Sequence, residues 1–286
     1  MIKAIIQKTP YCTEMTFPCS EAELSEWLKD LDMNPEHTCP FAIVNHIIEP
    51  AELSVLEENE VSLDALNYLG KRLDGMDRKE LDQFFAALSC GEDNMEWDLK
   101  NIINLTFNLS RYTLIKDTDS LEKIGLTHIM NIRGAILASE LEKREWLADE
   151  GRKLLDTGKG INTEYGKLFI NKEIGFDECY SGGAFPPYCY NANTLADVQI
   201  SYGGFTELIG LPCENIAIKK ALLRLGAESE KDCEFEVDSG GEISDELWEQ
   251  IRVVEESKDI FGLNALLKDE EIRMKQEQSD APKMEM

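Results

Sequence analysis

SLDALNYLGKRLDGMDRKELDQFFAAL, residues 62–88, is the stretch whose reading decides the fold. Leu63, Leu66, Leu69 and Leu73 recur at three- and four-residue spacing, which puts them on one face of a helix that Ser62 opens. A second run, Leu81, Phe84, Phe85 and Leu88, repeats the pattern. Asp77-x-x-Glu80 stands in front of it as a capping box, in which each residue can satisfy a backbone amide near the other. The turn Asp74-Gly75-Met76 between the two runs is short, so the pair is an αα-hairpin.

Upstream, Ile2, Ala4 and Ile6 alternate with Lys3, Ile5 and Gln7, the two-residue period of a strand. Ser20-Glu-Ala-Glu23 is another capping box. Leu24, Trp27, Leu28 and Leu31 follow it at helical spacing, which predicts an amphipathic helix over 21–31. Cys39 to Ile48 is apolar and β-branched enough for a second strand, with His46 on one edge. Residues 1–90 therefore read as a small α+β domain with two strands or more and three helices.

Downstream, Gly91 to Asp98 reads as a linker or a helix entry. Leu99 to Leu109 carries Ile102, Ile103, Leu105 and Phe107, and helix and strand both stay open there. Asp119-x-x-Glu122 has the form of a capping box ahead of Leu121, Ile124 and Ile129. Leu141 to Leu155 is helical and mixed in charge. From Gly158 to Gly210 the texture changes to Gly, Tyr, Phe and Pro, with Lys167–Ile170 as a short strand. Ile216 to Leu225 is a helix with Lys219, Lys220 and Arg224 on its polar side. Cys233-Glu-Phe235-Glu-Val237 alternates as a strand with acids on its solvent face. Ser244 starts a helix holding Leu247, Trp248, Ile251 and Val254. Phe261 to Ile272 makes another, and the last dozen residues are polar and expected to fray.

Charge is distributed unevenly over this framework. The 286 residues hold 56 Asp+Glu and 29 Lys+Arg, a formal net charge of -27. Glu14 to Asp98 has 21 acids and 5 bases, Leu99 to Ala227 has 16 and 15, and Glu228 to Met286 has 19 and 7. Two acidic flanks surround a nearly neutral middle, and the chain reads as an N-terminal acidic α+β domain over 1–97, a near-neutral middle α+β domain over 98–226 and an acidic C-terminal lobe with a frayed tail over 227–286. Charge gathered on particular lobes makes a field aimed at a basic partner. Duplex DNA carries one charge per ~1.7 Å, so a net charge of this size matches roughly 46 Å of duplex.

Several function classes find no footing. The sequence is 43% hydrophobic, enough for packed cores, yet no apolar run approaches the ~18 residues of a membrane span. Lys3 and Lys8 bracket a very short apolar stretch rather than a signal peptide, and a cytoplasmic setting is the simplest reading. Eight cysteines show no C-x-x-C pairing, and His37-x-Cys39 is the nearest approach to a metal pair. Gly158-Lys159-Gly160 lacks the spacing of a phosphate loop and reads as a turn. Asp30-x-Asp32 and Asp117-x-Asp119 lack the glycine and distant glutamate of a calcium loop. No nucleophile, zinc-protease or Cys/His catalytic pattern is present, so the expectation is a non-enzyme with no cofactor and no metal site. The candidate surface is acidic instead: Glu57, Glu58, Glu60, Asp64, Asp74, Asp77, Glu80 and Asp82 around the hairpin, with Glu92 and Asp93 after it. Lys71, Arg72, Arg78 and Lys79 are the local counter-charges.

Three ordered blocks resemble the ArdA family of antirestriction proteins. They are Phe17-Pro18-Cys19-Ser20-Glu21-Ala-Glu23-Leu24 with Leu28 and Leu31, then Ser62-Leu63-Asp64-Ala65-Leu66-Asn67-Tyr68-Leu69 with Leu73 and Leu81. The third is Asn101-Ile-Ile-Asn104-Leu105-Thr106-x-Asn108-Leu109 with Leu121-Glu122-Lys123-Ile124-Gly125. The resemblance covers about the first 130 residues. It implies an elongated chain of two to three small α+β domains with an acidic surface, commonly dimeric, hence a homodimer here. Its implied function is inhibition by DNA mimicry. Such a protein occupies the basic DNA-binding groove of a type I restriction–modification enzyme and itself engages neither nucleic acid nor membrane. The 158–210 stretch and the C-terminal lobe lie outside the resemblance. Another DNA-binding defence complex, such as a CRISPR effector, therefore stays open as the target, as does an acidic protein-interaction or regulatory module.

Overall fold

The computed structural model describes residues 1–90, 95–157, 159–190, 194–238 and 244–280, with 277–280 as backbone only. The fold is α+β, as expected. In chain order the elements are β1 (Ile2–Lys8), β2 (Tyr11–Phe17), α1 (Glu21–Asp30), β3 (Phe41–Glu49), β4 (Glu60–Ser62), α2 (Leu63–Asp74), α3 (Arg78–Cys90) and α4 (Leu99–Leu105). They continue as β5 (Tyr112–Ile115), α5 (Leu121–Arg133), α6 (Ala138–Leu141), α7 (Arg144–Asp156), β6 (Ile161–Thr163) and β7 (Gly166–Ile170). The last are β8 (Ala196–Tyr202), β9 (Phe205–Leu211), α8 (Asn215–Leu225), β10 (Glu234–Asp238), α9 (Asp245–Glu256) and α10 (Ile260–Asp280). A 3₁₀ turn, Ala51–Leu56, separates β3 from β4. No described helix is long and apolar enough to cross a membrane.

Two compact units form, and each draws on separated stretches of chain. The first takes Met1–Gln7, Glu14–Pro18 and Ala42–Cys179; the second takes Lys8–Thr13, Cys19–Phe41 and Tyr180–Met286.

In the first unit, β1 runs antiparallel to β3 in a sheet of order β2-β1-β3-β4. Ile2, Ala4 and Ile6 are buried, as the alternation requires. Ser62 caps α2 by accepting the Ala65 N–H. Leu63, Leu66, Leu69 and Leu73 are all buried, each such leucine worth about 1.5–3 kcal/mol relative to exposure. The Asp77–Glu80 box also forms: the Glu80 N–H donates to Asp77 Oδ1 at 2.9 Å and the Asp77 N–H to Glu80 Oε2 at 2.8 Å. A second sheet, β5-β7-β6, includes the expected strand at Lys167–Ile170. Residues 99–109 resolve as the helix α4 and a 3₁₀ turn, with strand geometry starting only at Tyr112.

The cap ahead of α5 differs by one residue from expectation. Ser120 holds the N-cap position and accepts the Lys123 N–H, while Asp119 donates its own N–H to Asp117 Oδ1. A hydroxyl one position closer to the first turn takes the role that the Asp119-x-x-Glu122 spacing suggested. Helices α5 and α7 pack at close range through glycines. A Cβ on Gly125 would sit 1.9 Å from the Leu147 carbonyl oxygen, and one on Gly151 would sit 2.1 Å from that of Leu121.

In the second unit, the sheet has order β10-β8-β9. The β8–β9 hairpin turns through Gly203 and Gly204, both at positive φ (59° and 86°), which side-chain-bearing residues resist. Ala196, Val198 and Ile200 of β8 point into a core shared with Ile218, Leu247, Ile251, Leu263 and Leu267 from α8, α9 and α10. Ser244 caps α9 through the Leu247 N–H. Helix α10 continues to Asp280, into the stretch expected to fray, with Arg273–Glu270 and Lys275–Glu271 pairs one turn apart. One expectation is corrected here. Lys220 is not on a solvated face of α8; it is 2% exposed and donates to Glu21 Oε2 at 2.7 Å, because α1 covers that side of the helix.

Candidate acidic surface

The expected acidic residues meet different fates. Glu58 and Glu60 are exposed on the turn into β4, and Asp74, Asp77 and Glu80 are exposed where α2 hands over to α3. Glu58 adopts φ 63, a left-handed conformation that bends the chain so that its N–H reaches the Val44 carbonyl at 2.7 Å. Glu57 is drawn inward. Its Oε1 accepts the Ile47 N–H and meets His46 Nδ1, both at 2.8 Å. The Ile47 amide above all, with help from His46, holds the Glu57 carboxyl below the usual carboxylate range. Asp77 is lowered in the same way by the amides of Glu80 and Lys79.

Two members need correction as surface acids. Asp64 is 8% exposed, because α2 is buried on every side from Leu63 to Gly70 and has no solvated stripe in its first two turns. A carboxylate there complements the helix N-terminus rather than facing a partner. Asp82 is ion-paired to Lys116, which cancels its charge locally. Glu92 and Asp93 lie outside the described residues. Among the counter-charges, Arg72 is withdrawn from the surface, stacking at 4.1 Å on Phe107 and donating to Thr106. The hairpin thus brings Asp77 and Glu80 into direct contact and sets Asp74 beside them, while Glu58 and Glu60 belong to a separate turn.

The second unit adds a row that was read as acidic but not counted in the site. Glu234, Glu236 and Asp238 are exposed on one side of β10, an edge strand, while Phe235 and Val237 turn toward the core. Residues two apart in a strand stand about 6.8 Å apart, the scale of spacing between neighbouring phosphates. Asp238 pairs in register with Asp197 of β8, which adds a fourth carboxylate on the same face. The period-two alternation of Glu and Phe/Val was the signal for this row.

The Gly/Tyr-rich stretch is structural where it is described. Glu207 is 2% exposed and takes a two-pronged ion pair from Arg224 at 2.7 and 2.8 Å, and it also accepts the Phe185 N–H. Arg224 lies 4.5 Å over the Phe185 ring, which stacks on Tyr180. Arg224, like Lys220, is therefore spent inside the unit rather than on the polar side of α8. A buried pair of this kind holds its segment in place, since removing one partner strands the other charge. Tyr165 donates its hydroxyl to Glu52 and stacks on Phe85. A cavity of about 610 Å³ lies between α1 and the start of α8, lined by residues of both signs including Lys29, Glu36, Glu214 and Lys219. His37 Nδ1 accepts the Cys39 N–H in a local turn, and no metal-holding group of three ligands occurs among the described residues.

These features define an α+β protein whose exposed carboxylates sit in ordered rows and capped turns. Compared with known proteins, the chain matches no family model, no curated protein and no solved structure.

Proposed function

We propose that this chain is a DNA mimic that inhibits a DNA-targeting defence complex by occupying its DNA-binding groove, with a type I restriction–modification enzyme as the target. The observation that carries the reading is β10, where three successive outward positions are Glu234, Glu236 and Asp238. Three in register, beside Asp197, lay out negative charge along a line. The exposed acids of the α2–α3 turn, the net charge of -27 and the three ArdA-like blocks support the same reading.

The test is competition. A labelled duplex bound to a purified type I enzyme is displaced by this chain at ~50 mM salt, and the apparent affinity falls about tenfold or more by ~200 mM. Neutralising the row (Glu234→Gln, Glu236→Gln, Asp238→Asn) weakens displacement, and adding Glu58→Gln and Glu60→Gln weakens it further. Displacement from a CRISPR effector alone would move the target. Failure to displace duplex from either at low salt would sink the mimic reading.

A further inference from the structure

We propose that the cavity between α1 and the start of α8 is a binding site for a short peptide with free ends, a ligand of no net charge with an ammonium at one end and a carboxylate at the other. The cavity lies wholly within the second unit, and three braces hold its walls. The buried Lys220–Glu21 pair, at 2.7 Å, ties α8 to α1. Ser25 of α1 donates its hydroxyl to the Pro35 carbonyl at 3.1 Å, which fixes the loop carrying Glu36 against the helix. Asn264, fully buried on α10, accepts the Cys213 N–H at 2.8 Å and donates to the Cys213 carbonyl and to Asn215 Oδ1, both at 2.9 Å. That clamp fixes the entry to α8. The walls are thus set by the fold itself, and a volume of about 610 Å³ falls within the range of small-molecule sites.

The lining selects the ligand. Ala22, Ser25 and Lys29 recur at three- and four-residue spacing on one face of α1, and Ile216 and Lys219 share a face of α8. Each helix therefore brings small or apolar surface that ends in a lysine, and Pro35 adds to the apolar part. The carboxylates are not equally available. Glu21 is taken by Lys220, and Glu214 lies 3.8 Å from Lys268. Glu36 is exposed, and among the described residues neither it nor Lys29 nor Lys219 is ion-paired. Two uncommitted ammoniums and one uncommitted carboxylate thus surround an apolar middle. The whole-molecule field narrows the choice further. A net charge of -27 repels an anion and draws a cation to acids all over the surface. A zwitterion is neither expelled nor scattered in this way, and it gains from local pairing at both of its ends. A peptide of small apolar residues supplies the body that the middle of the cavity accommodates.

Isothermal titration calorimetry of trialanine into the full chain tests this. The expected result is one-site binding with a Kd of ~1 mM or tighter, the scale open to a ligand of this size. Lys29→Gln and Lys219→Gln, both on exposed side chains, each weaken binding about threefold and together about tenfold. Lys123→Gln, an exposed lysine of α5, leaves it unchanged. Trialanine acetylated at its N-terminus and amidated at its C-terminus binds about tenfold more weakly, because both charged ends are gone. Succinate, which keeps two carboxylates and has no ammonium, is weaker by a similar factor. No saturable heat up to ~10 mM trialanine overturns the proposal, as does binding indifferent to the double lysine variant. Succinate or the blocked peptide binding as tightly as trialanine also overturns it, since the two opposed charges would then not be what the cavity recognises. None of these readouts involves duplex DNA or a defence complex, so the peptide site and the mimic reading fail separately.

Discussion

Glu57 shows how a carboxylate can belong to the fold and the surface at once. Its oxygen is committed to the Ile47 N–H and to His46, which fixes the turn that presents Glu58 and Glu60. Because the Ile47 amide, and then His46, lower its folded-state pKa, its contribution to stability is present above the unfolded value near 4.3 and is lost as pH falls through the folded value. Glu57→Gln should therefore leave the protein less stable than wild type at neutral pH, by a margin that stays constant down to about pH 5 and shrinks below it. Denaturant titrations of both proteins across that range measure the margin; one that persists unchanged to the lowest pH would show that the carboxylate charge is not what the amide recognises. Asp64 teaches the complementary lesson. Its place off the leucine stripe was legible, but its burial was not, because the neighbours that close over the polar side of α2 come from outside the local sequence.

Among the elements, the α5–α7 pair sets two effects against each other. Ala in place of Gly125 gains about 1 kcal/mol of helix propensity, while a Cβ 1.9 Å from the Leu147 carbonyl forces the helices apart at about 1–3 kcal/mol or more. The clash is with backbone, which cannot swing aside, so Gly125→Ala is expected to destabilise by about 2 kcal/mol net in urea unfolding. A more stable variant would mean that the helices are not in contact there. Elements with a cap and a clear stripe were legible: Ser20 before α1, Ser62 before α2, Asp77 with Glu80 before α3, Ser244 before α9. The β8–β9 hairpin carried an equal signal, Val198 and Ile200 alternating ahead of Gly203-Gly204, but the glycines and tyrosines around it hid the period. Strand β5 is four residues long and buried on both faces, so it shows no alternation to find. The acidic row on β10 was readable as a strand face; its standing at a sheet edge was not, because strand order is set by pairing across the chain.

For the whole molecule, a net charge of -27 on 286 residues is a burden on the compact state itself. Raising sodium chloride from ~10 to ~150 mM shortens the screening length from about 30 to about 8 Å, and the melting temperature should rise by about 3 °C or more, the shift of roughly 1 kcal/mol in a chain of this size. A flat or falling melting curve across that range would mean that local pairing already neutralises the acids within each unit. The two units interleave, and one contact makes that arrangement consequential. Lys220 of α8 is buried against Glu21 of α1, 199 residues earlier. Helix α1 leaves the ribosome with its partner still unsynthesised, and at about 5–20 residues per second it waits roughly 10–40 s for the lysine to arrive. The second unit can therefore close only near the end of translation. A fragment that starts after residue 41 would lack Glu21 and so lose the buried ion pair by which α1 is joined to α8.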